Sequence, residues 1–201
     1  MDQKNKVIFV EQDLNLKNVI FKDSQELVYI LIPINKLDFY LDVNVIQSSK
    51  LVINFIVLAE GTKTIDCKIN TNISTNDASV TVKSLLFAND KSKINIEINS
   101  SVEKYTTNNI VDQSIIGTLL SSFAKISGNP NLKIHALDVK AKHSLKIGSL
   151  DKEELFYLMS KGFSLIETKK IIIDSYLNEF LSSLDLEQKN YYLNLIMNKI
   201  I

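Results

Sequence analysis

Apolar and polar residues alternate along most of the first three quarters of this chain. The alternation is clearest at residues 41–45, 51–57, 65–69, 80–82 and 94–98, and the apolar stretches VIFV, NVIF and LVYILIPI precede them. A period of two puts successive side chains on opposite faces of a strand. Strand centres recur about every 11 to 15 residues, a spacing typical of an all-β sandwich, barrel or solenoid.

The breaks between these strands are polar but poor in the residues that make tight hairpins. They have the sequences QSSK, AEGTK, STNDA and NDKSK, and no Asn-Gly or Asp-Gly pair occurs in the chain. Hairpins of two residues favour those pairs. A meander of tight hairpins is therefore disfavoured, while the spacing alone leaves sandwich, barrel and solenoid open.

The pattern changes at Gly148. Before it, Val139, Ala141, His143, Leu145 and Ile147 alternate with polar residues, as in a half-buried strand. After it the apolar spacing is helical. We therefore predict two parts, a β core at residues 1–148 and a helical segment at residues 149–201.

Three helix starts are predicted in the second part. Each is a capping residue followed three positions later by Glu or Gln, and Gly162 suits the left-handed stop of the first helix. The pairs are Asp151 with Glu154, Ser164 with Glu167, and Asp185 with Gln188.

Composition excludes several classes of function. The 201 residues carry 23 positive and 23 negative charges without a basic stripe, so we expect no nucleic-acid partner. The start of the chain lacks a signal pattern and no apolar run approaches the ~20 residues of a spanning helix, so we expect a cytoplasmic protein without a membrane partner. A single cysteine rules out an intrachain disulfide.

Few residues are candidates for chemistry. His143 has the strand parity of the apolar positions, so it is either a core histidine or a functional one. Cys67 alternates with Ile65 and Ile69, which predicts a buried small hydrophobe. His135 is out of phase and is expected in solvent. No P-loop, dinucleotide motif, HExxH or Ser/His/Asp order occurs, so we expect a protein that is not an enzyme.

The stretch around His143 resembles the carboxy-terminal part of the SufB/SufD family of iron–sulfur cluster assembly proteins. The family pattern is DVKCSHGATVG, a short acidic linker and LFYLRSRG. This chain has Asp138-Val139-Lys140, His143 and Gly148, then Leu155-Phe156-Tyr157-Leu158 and Ser160-Lys161-Gly162. The upstream segment 129–134 matches the family's P-x-L-x-I. The close match covers about 35 residues, and a weaker resemblance extends over the preceding ~100 residues, whose strand lengths fit the expected range.

The resemblance implies a fold and a set of partners. The fold is a right-handed parallel β-helix, or β-solenoid, with a C-terminal helical segment, and residues 105–128, whose apolar spacing also fits a helix, are then strands. The partners are a SufB-like subunit, pairing through strands near 131–147, and a SufC-like ABC ATPase. Alone, the chain is expected to form a homodimer.

The resemblance also implies site residues. His143 is the cluster-assembly candidate, and it would bind iron only in a complex. The docking candidates for the ATPase are Asp151, Leu155, Phe156, Tyr157, Leu158, Lys161 and Gly162. We expect no cofactor in the isolated chain and an iron–sulfur cluster only transiently in a complex, because four thiolates are the usual ligand set.

Two departures from the family pattern bear on this interpretation. The family cysteine is Ala141 here, and the glycine after the histidine is Ser144. The SufB-type glutamate after the histidine is absent, so the chain is closer to SufD, in a short form. The prediction is a SufD-like, non-catalytic scaffold subunit. The alternative is a β-solenoid that only dimerises and has no cluster role, and a solenoid acyltransferase or polysaccharide lyase is least expected.

Overall fold

The computed structural model describes residues 6–200, in which eleven strands precede three helices. The mainly β fold class predicted from the sequence is confirmed. Residues 1–5 of the predicted β core, and Ile201 of the predicted helical segment, lie outside the described residues. The strands are Lys6–Val10 (β1), Leu14–Phe21 (β2), Gln25–Leu31 (β3), Lys36–Val45 (β4), Lys50–Ala59 (β5), Thr64–Ile73 (β6), Ser79–Ala88 (β7), Lys93–Val102 (β8), Asn109–Leu119 (β9), Lys125–Ile134 (β10) and Val139–Gly148 (β11).

The strands form a parallel β-solenoid of about five turns. The odd-numbered strands make one sheet, in the order β1-β3-β5-β7-β9-β11, and the even-numbered strands make the other, in the order β10-β8-β6-β4-β2. Consecutive strands thus lie in different sheets, and each strand pairs in parallel with the strand two further along the chain. A parallel pair needs a crossover between its strands, and here the crossover is a strand of the opposite sheet.

The interior of the solenoid explains the period of two. On β4, β6 and β8 the buried residues are alternate ones, and they stack in register, as Leu37, Ile65 and Ile94 do. The ring of Tyr29 stacks on Phe55 with centroids 5.1 Å apart, and Phe39 meets both rings edge-on. Apolar burial of this kind contributes roughly 25 cal/mol per Å².

Turns between strands use Asn and Asp where many proteins use Gly. Asp77, Asp90 and Asn108 have positive φ, and their side chains link successive turns. The carboxylate of Asp90 accepts from the backbone N–H of Gly61 at 2.9 Å, and Nδ2 of Asn108 donates to Asp77 at 2.7 Å. Short polar side chains that tolerate left-handed backbone therefore replace glycine, which explains a turn-rich fold with five glycines.

The helices are Lys152–Ser160 (α1), Leu165–Phe180 (α2) and Leu186–Ile200 (α3). The predicted caps are present: Asp151 accepts from the first turn of α1, Ser164 and Glu167 form a capping box, and Asp185 accepts from Gln188 N–H at 2.8 Å. The reciprocal bond from Glu154, which would complete a box at α1, is not among the contacts of Asp151. Gly162 has φ +100°, as its role at the end of α1 predicts.

The helical segment covers the outer face of the six-stranded sheet. Ile172, Ile173 and Leu177 of α2 pack in one buried cluster with apolar residues of β3, β5 and β7. The later part of each of those strands is buried on both faces and forms a continuous apolar run, whereas the earlier parts of β5 and β7 alternate. The ammonium group of Lys83 on β7 adds an ion pair to Glu179 of α2 at 3.3 Å.

Residues 105–128 contain strands and no helix. All of β9 and the start of β10 fall in this segment, with a turn between them. Gly148 is the last residue of β11 and Lys152 the first of α1, where the sequence pattern changes its period. Within residues 6–200, no helix is long and apolar enough to cross a membrane.

Candidate partner interface at the open end of the solenoid

The last turn of the solenoid ends in two free strand edges. β10 is hydrogen-bonded to β8 and β11 to β9, and within residues 6–200 neither has a second strand beside it. An edge strand presents a row of backbone N–H and C=O groups that can pair with another chain. Side chains on both faces of β10 and β11 are exposed or half-buried, unlike those of the strands beneath them.

His143 lies on the inner side of this last turn. The inward column that contains it runs through the sheet in register as Leu27, Ile53, Val82, Gln113 and His143. The predicted parity of His143 is therefore confirmed. Its side chain is nevertheless exposed, because no further solenoid turn covers it within residues 6–200. The interpretation of His143 as a buried core histidine is wrong for the chain on its own.

The opposite face of β11 carries the lysines. Nζ of Lys142 lies 3.0 Å from the carboxylate of Asp112, and the hydroxyl of Ser144 donates to Ser114 at 3.1 Å. Both contacts join β11 to β9 on the outside of the solenoid. Ala141, which stands where the family has cysteine, is exposed and has the same parity as His143. The inner and outer faces of β11 thus differ in charge.

A buried polar network that the sequence analysis missed lies one turn below His143. Gln113 is 0% exposed, and its Nε2 donates to the hydroxyl of Ser100 at 2.7 Å and to the carbonyl of Asn131 at 3.0 Å. Thr71 donates to the same Ser100 hydroxyl at 2.7 Å. The signal available in the sequence was the position of Gln113 between Val111 and Ile115, which its alternation makes inward-facing.

Two glycines leave room for aliphatic side chains in the other half of the last turn. A Cβ on Gly128 would lie 2.7 Å from Cδ1 of Leu145, and a Cβ on Gly117 would lie 3.1 Å from Cγ1 of Ile147. Leu145 and Ile147 therefore fold inward over the end of the solenoid because the residues facing them have no side chain. Aliphatic side chains therefore cover the part of the open end near Ile147, whereas the part near His143 is polar.

Cys67 is two strands from the β10 edge of the five-stranded sheet, and its thiol is unreactive. It is buried on β6, in register with Phe39 and Ile96, as its alternation predicts. Burial, together with the nearby carboxylates of Asp66 and Asp38, raises the pKa of its thiol. The thiol therefore stays protonated, and a thiol is a poor ligand compared with a thiolate.

Other candidate ligands are dispersed. His135 is exposed just after β10, and its backbone N–H donates to the carbonyl of Val102 at 3.0 Å. The exposed position agrees with the prediction. Across residues 6–200, no group of three or more His, Cys, Asp or Glu side chains is arranged to hold a metal ion.

The predicted docking residues on α1 divide into two sets. Leu155 and Leu158 pack against the buried helical cluster, whereas Phe156 and Tyr157 are 75% and 59% exposed. The ammonium group of Lys161 lies 5.3 Å from the centre of the Tyr157 ring. We call the exposed apolar group here the α1 patch, and its members are Phe156, Tyr157, Met159, Phe163, Leu165 and Ile166.

Several relatives share short stretches with this chain. An iron–sulfur cluster assembly SufBD family protein of Synechocystis, slr0076, is 37% identical over 68 residues, which are 34% of this chain and 15% of the relative. The iron–sulfur cluster assembly protein SufD of Escherichia coli is 33% identical over 66 residues, covering 33% and 16%. SufD of Bacillus subtilis is 35% identical over 69 residues, covering 34% and 16%. The chain thus matches about a sixth of the length of these relatives.

A sequence profile covers more of the chain than these pairwise matches. The profile described as the SUF system FeS cluster assembly SufBD core domain matches residues 46–176 of the 201. That range includes the last solenoid turn, His143 and α1. The chain belongs to the SufBD core-domain family of the SUF iron–sulfur cluster assembly system.

Proposed function

We propose that this chain is a SufD-like, non-catalytic subunit of the scaffold on which the SUF system builds iron–sulfur clusters. The observation that carries the proposal is the open last turn of the solenoid. There two free strand edges flank an inward-facing, exposed histidine. Free strand edges of this kind can pair with a partner chain. A histidine beside them can bind a metal, which a purely structural interface does not require.

The two edges support pairing with a second solenoid, either a SufB-like subunit or, when the chain is alone, a second copy. An amide ladder on the five-stranded sheet runs to one edge, because Asn131 donates to Asn99 at 3.0 Å and Asn99 to Asn70 at 2.9 Å. Asn131 is on β10, so a strand added beside β10 would meet an amide able to extend the ladder. On β11, Leu145 is 47% exposed and offers apolar area to the same partner.

The partner must supply most of the ligands of a cluster. Thiolates are the usual ligands, and this chain has one cysteine, which is buried and protonated. A neutral imidazole is a competent ligand for iron, as in Rieske centres. In this proposal His143 contributes one nitrogen at the joint, the partner contributes thiolate or carboxylate, and the growing cluster is cargo rather than a resident cofactor.

The helical end supports docking of a SufC-like ATPase. No residue of α1 is buried, and the α1 patch is apolar and lies outside the helical cluster. The residues of the patch all fall between positions 156 and 166, and large exposed apolar patches mark interaction sites. The caps at Asp151 and Ser164 hold this surface in a defined shape.

Anaerobic reconstitution tests the proposal. The chain is purified alone, with a SufB-like partner, and with that partner and a SufC-like ATPase, and iron and sulfide are measured after each reaction. We expect no stable cluster on the chain alone and cluster formation in the complex that exceeds that of the partner without it. If the complex forms but holds no more iron and sulfide than the partner does without this chain, the alternative of a dimerising solenoid is supported.

A further inference from the structure

We infer that Gln113 is the positioning residue of His143: its amide oxygen, which makes no hydrogen bond in the part of the chain that the structure describes, is the acceptor for one imidazole nitrogen when the exposed ring turns toward it, and the lone pair of the other nitrogen is then left at the open end. The inference rests on the proposed function, because it assigns a device to the histidine that the proposal uses. It concerns a buried residue on the strand below, in the interior of the solenoid.

The first observation is an unpartnered acceptor. Gln113 is 0% exposed, and within residues 6–200 its Oε1 has no hydrogen-bond partner, although its Nε2 has three acceptors. A buried polar atom that makes no hydrogen bond costs free energy, so such atoms are rare and need an explanation. The three bonds of Nε2 also fix which end of the amide is the oxygen, because Nε2 faces two backbone carbonyls.

The second observation is the register. On its own sheet, Gln113 has Val82 as its inward neighbour on one side and His143 on the other. Register partners on parallel strands lie about 4.8 Å apart at the backbone, and their side chains stack on the same face. The side chain of Val82 has no polar atom, so His143 is the register neighbour whose side chain can donate to Oε1.

The third observation is where the polarity begins. The column that holds both residues is aliphatic for three strands, at Leu27, Ile53 and Val82, and becomes polar only at the last two. The hydroxyl of Ser100 accepts from the amide of Gln113, and Thr71 donates to that same hydroxyl. The polar groups are thus concentrated under the histidine and at its end of the solenoid.

The chemical consequence concerns the tautomer of the imidazole. A neutral imidazole donates from one nitrogen and accepts or ligates through the other, and a hydrogen bond to the first selects the tautomer. Histidines that bind metals are commonly held in this way by an acceptor behind them. With Gln113 behind it, His143 offers its free nitrogen toward the partner chain.

Imidazole nitrogen NMR on the ¹⁵N-labelled full chain tests the inference, with exposed His135 as an internal reference. The spectra are recorded at alkaline pH, at which an imidazole is ordinarily neutral. We expect His143 to favour one tautomer by roughly fivefold more than His135 does, as a hydrogen bond of ordinary net strength would produce. A His143 with the tautomer ratio of His135 in the wild-type chain would overturn the inference without any variant.

Two variants and a control refine the test. Gln113→Met removes the acceptor at similar size, and the His143 tautomer ratio should collapse to that of His135. Gln113→Glu keeps an oxygen there and should retain the preference. Asn54→Met is the control, because Asn54 is also buried with an unpartnered amide oxygen but lies on β5, far from His143 in the sheet order. A folded Gln113→Met with the wild-type ratio overturns the inference.

The result is independent of the proposed function. Reconstitution of the complex with His143→Ala tests the proposed function, whereas the tautomer ratio is measured on the chain alone. If His143 has a preferred tautomer but the His143→Ala complex assembles clusters normally, the hydrogen bond to Gln113 is supported and the proposed role of His143 in assembly is wrong. If His143 has no preferred tautomer but the His143→Ala complex fails to assemble clusters, the role in assembly is supported and the hydrogen bond is wrong.

Discussion

Cδ1 of Leu145 lies where only a glycine can face it: a Cβ built on Gly128 would come within 2.7 Å of that methyl group. Gly128 is on β10 and Leu145 on β11, so this contact joins the two edge strands across the end of the solenoid. The shape of the proposed interface therefore depends on one missing side chain.

Gly128→Ala should alter pairing more than folding. The new methyl group displaces the end of a flexible, half-exposed side chain, and restricting the unfolded chain offsets part of the cost, so the free energy of unfolding should change by less than about 1 kcal/mol. Leu145 would move outward and weaken association, measured by analytical ultracentrifugation. Gly148→Ala is the control, because nothing lies within 4 Å of a Cβ there. If both variants associate as strongly as the wild type does, the proposed interface is wrong.

The buried thiol of Cys67 should make stability depend on pH. Its pKa is raised in the folded chain, so above the unfolded value of about 8.5 only the unfolded state loses the proton. The free energy of unfolding contributed by this group is fully present below about pH 8.5 and should fall by up to about 1.4 kcal/mol per pH unit from there toward pH 10.

Denaturant unfolding at pH 7.5, 8.5, 9.25 and 10 checks this slope. Cys67→Ala is the matched variant, and it should be less stable throughout but flatter between pH 8.5 and 10. Two curves of the same slope would show that the thiol does not carry the dependence.

The α1 patch should bind the ATPase without stabilising the fold. Phe156 is 75% exposed, so Phe156→Ala should leave the melting temperature unchanged. If the ring is a central contact, its loss should weaken binding at least tenfold, corresponding to about 1.4 kcal/mol or more. Leu186→Ala is the control, since Leu186 is similarly exposed, at 74%, but lies on α3 and is not part of the patch. If calorimetry gives both variants the same affinity for the ATPase, the ATPase does not dock on the α1 patch.

The cap of α1 should matter through shape rather than charge. Asp151 accepts from the backbone N–H groups of Glu153 and Glu154 at 2.8 and 3.2 Å, and removing such a cap costs about 1 kcal/mol. Asp151→Ala should speed hydrogen exchange in α1 and weaken ATPase binding. Asp151→Asn keeps the cap and should restore both. If Asn binds as poorly as Ala, the carboxylate contacts the partner and the capping explanation is wrong.

The sequence pattern predicted the strand parity of His143 but not its surroundings. Parity depends on residues 139–147 alone, whereas exposure depends on β11 being the last strand of its sheet, which alternation does not reveal. Gln113 was missed for a similar reason, since its partners Ser100 and Asn131 are close only after the solenoid has wound.

Other differences arise from tertiary burial. The stretch around Ile115 and Ile116 has apolar neighbours that also suit a helix, and the pattern could not decide because one of these residues faces the interior and the other packs under the helices. The caps, in contrast, were predictable because each depends on residues three positions apart. Where the local pattern fits both a strand and a helix, packing between successive turns of the solenoid decides which one forms.

The most direct measurement is cluster formation by the complete complex carrying His143→Ala, with His135→Ala as the matched control. His143 is exposed in the free chain and loses one hydrogen bond at most, so the account predicts a melting temperature within a few degrees of the wild type and normal pairing, with iron and sulfide per complex well below the wild-type values. His135→Ala should match the wild type in all three. A His143→Ala complex that assembles clusters as well as the wild type would contradict the account.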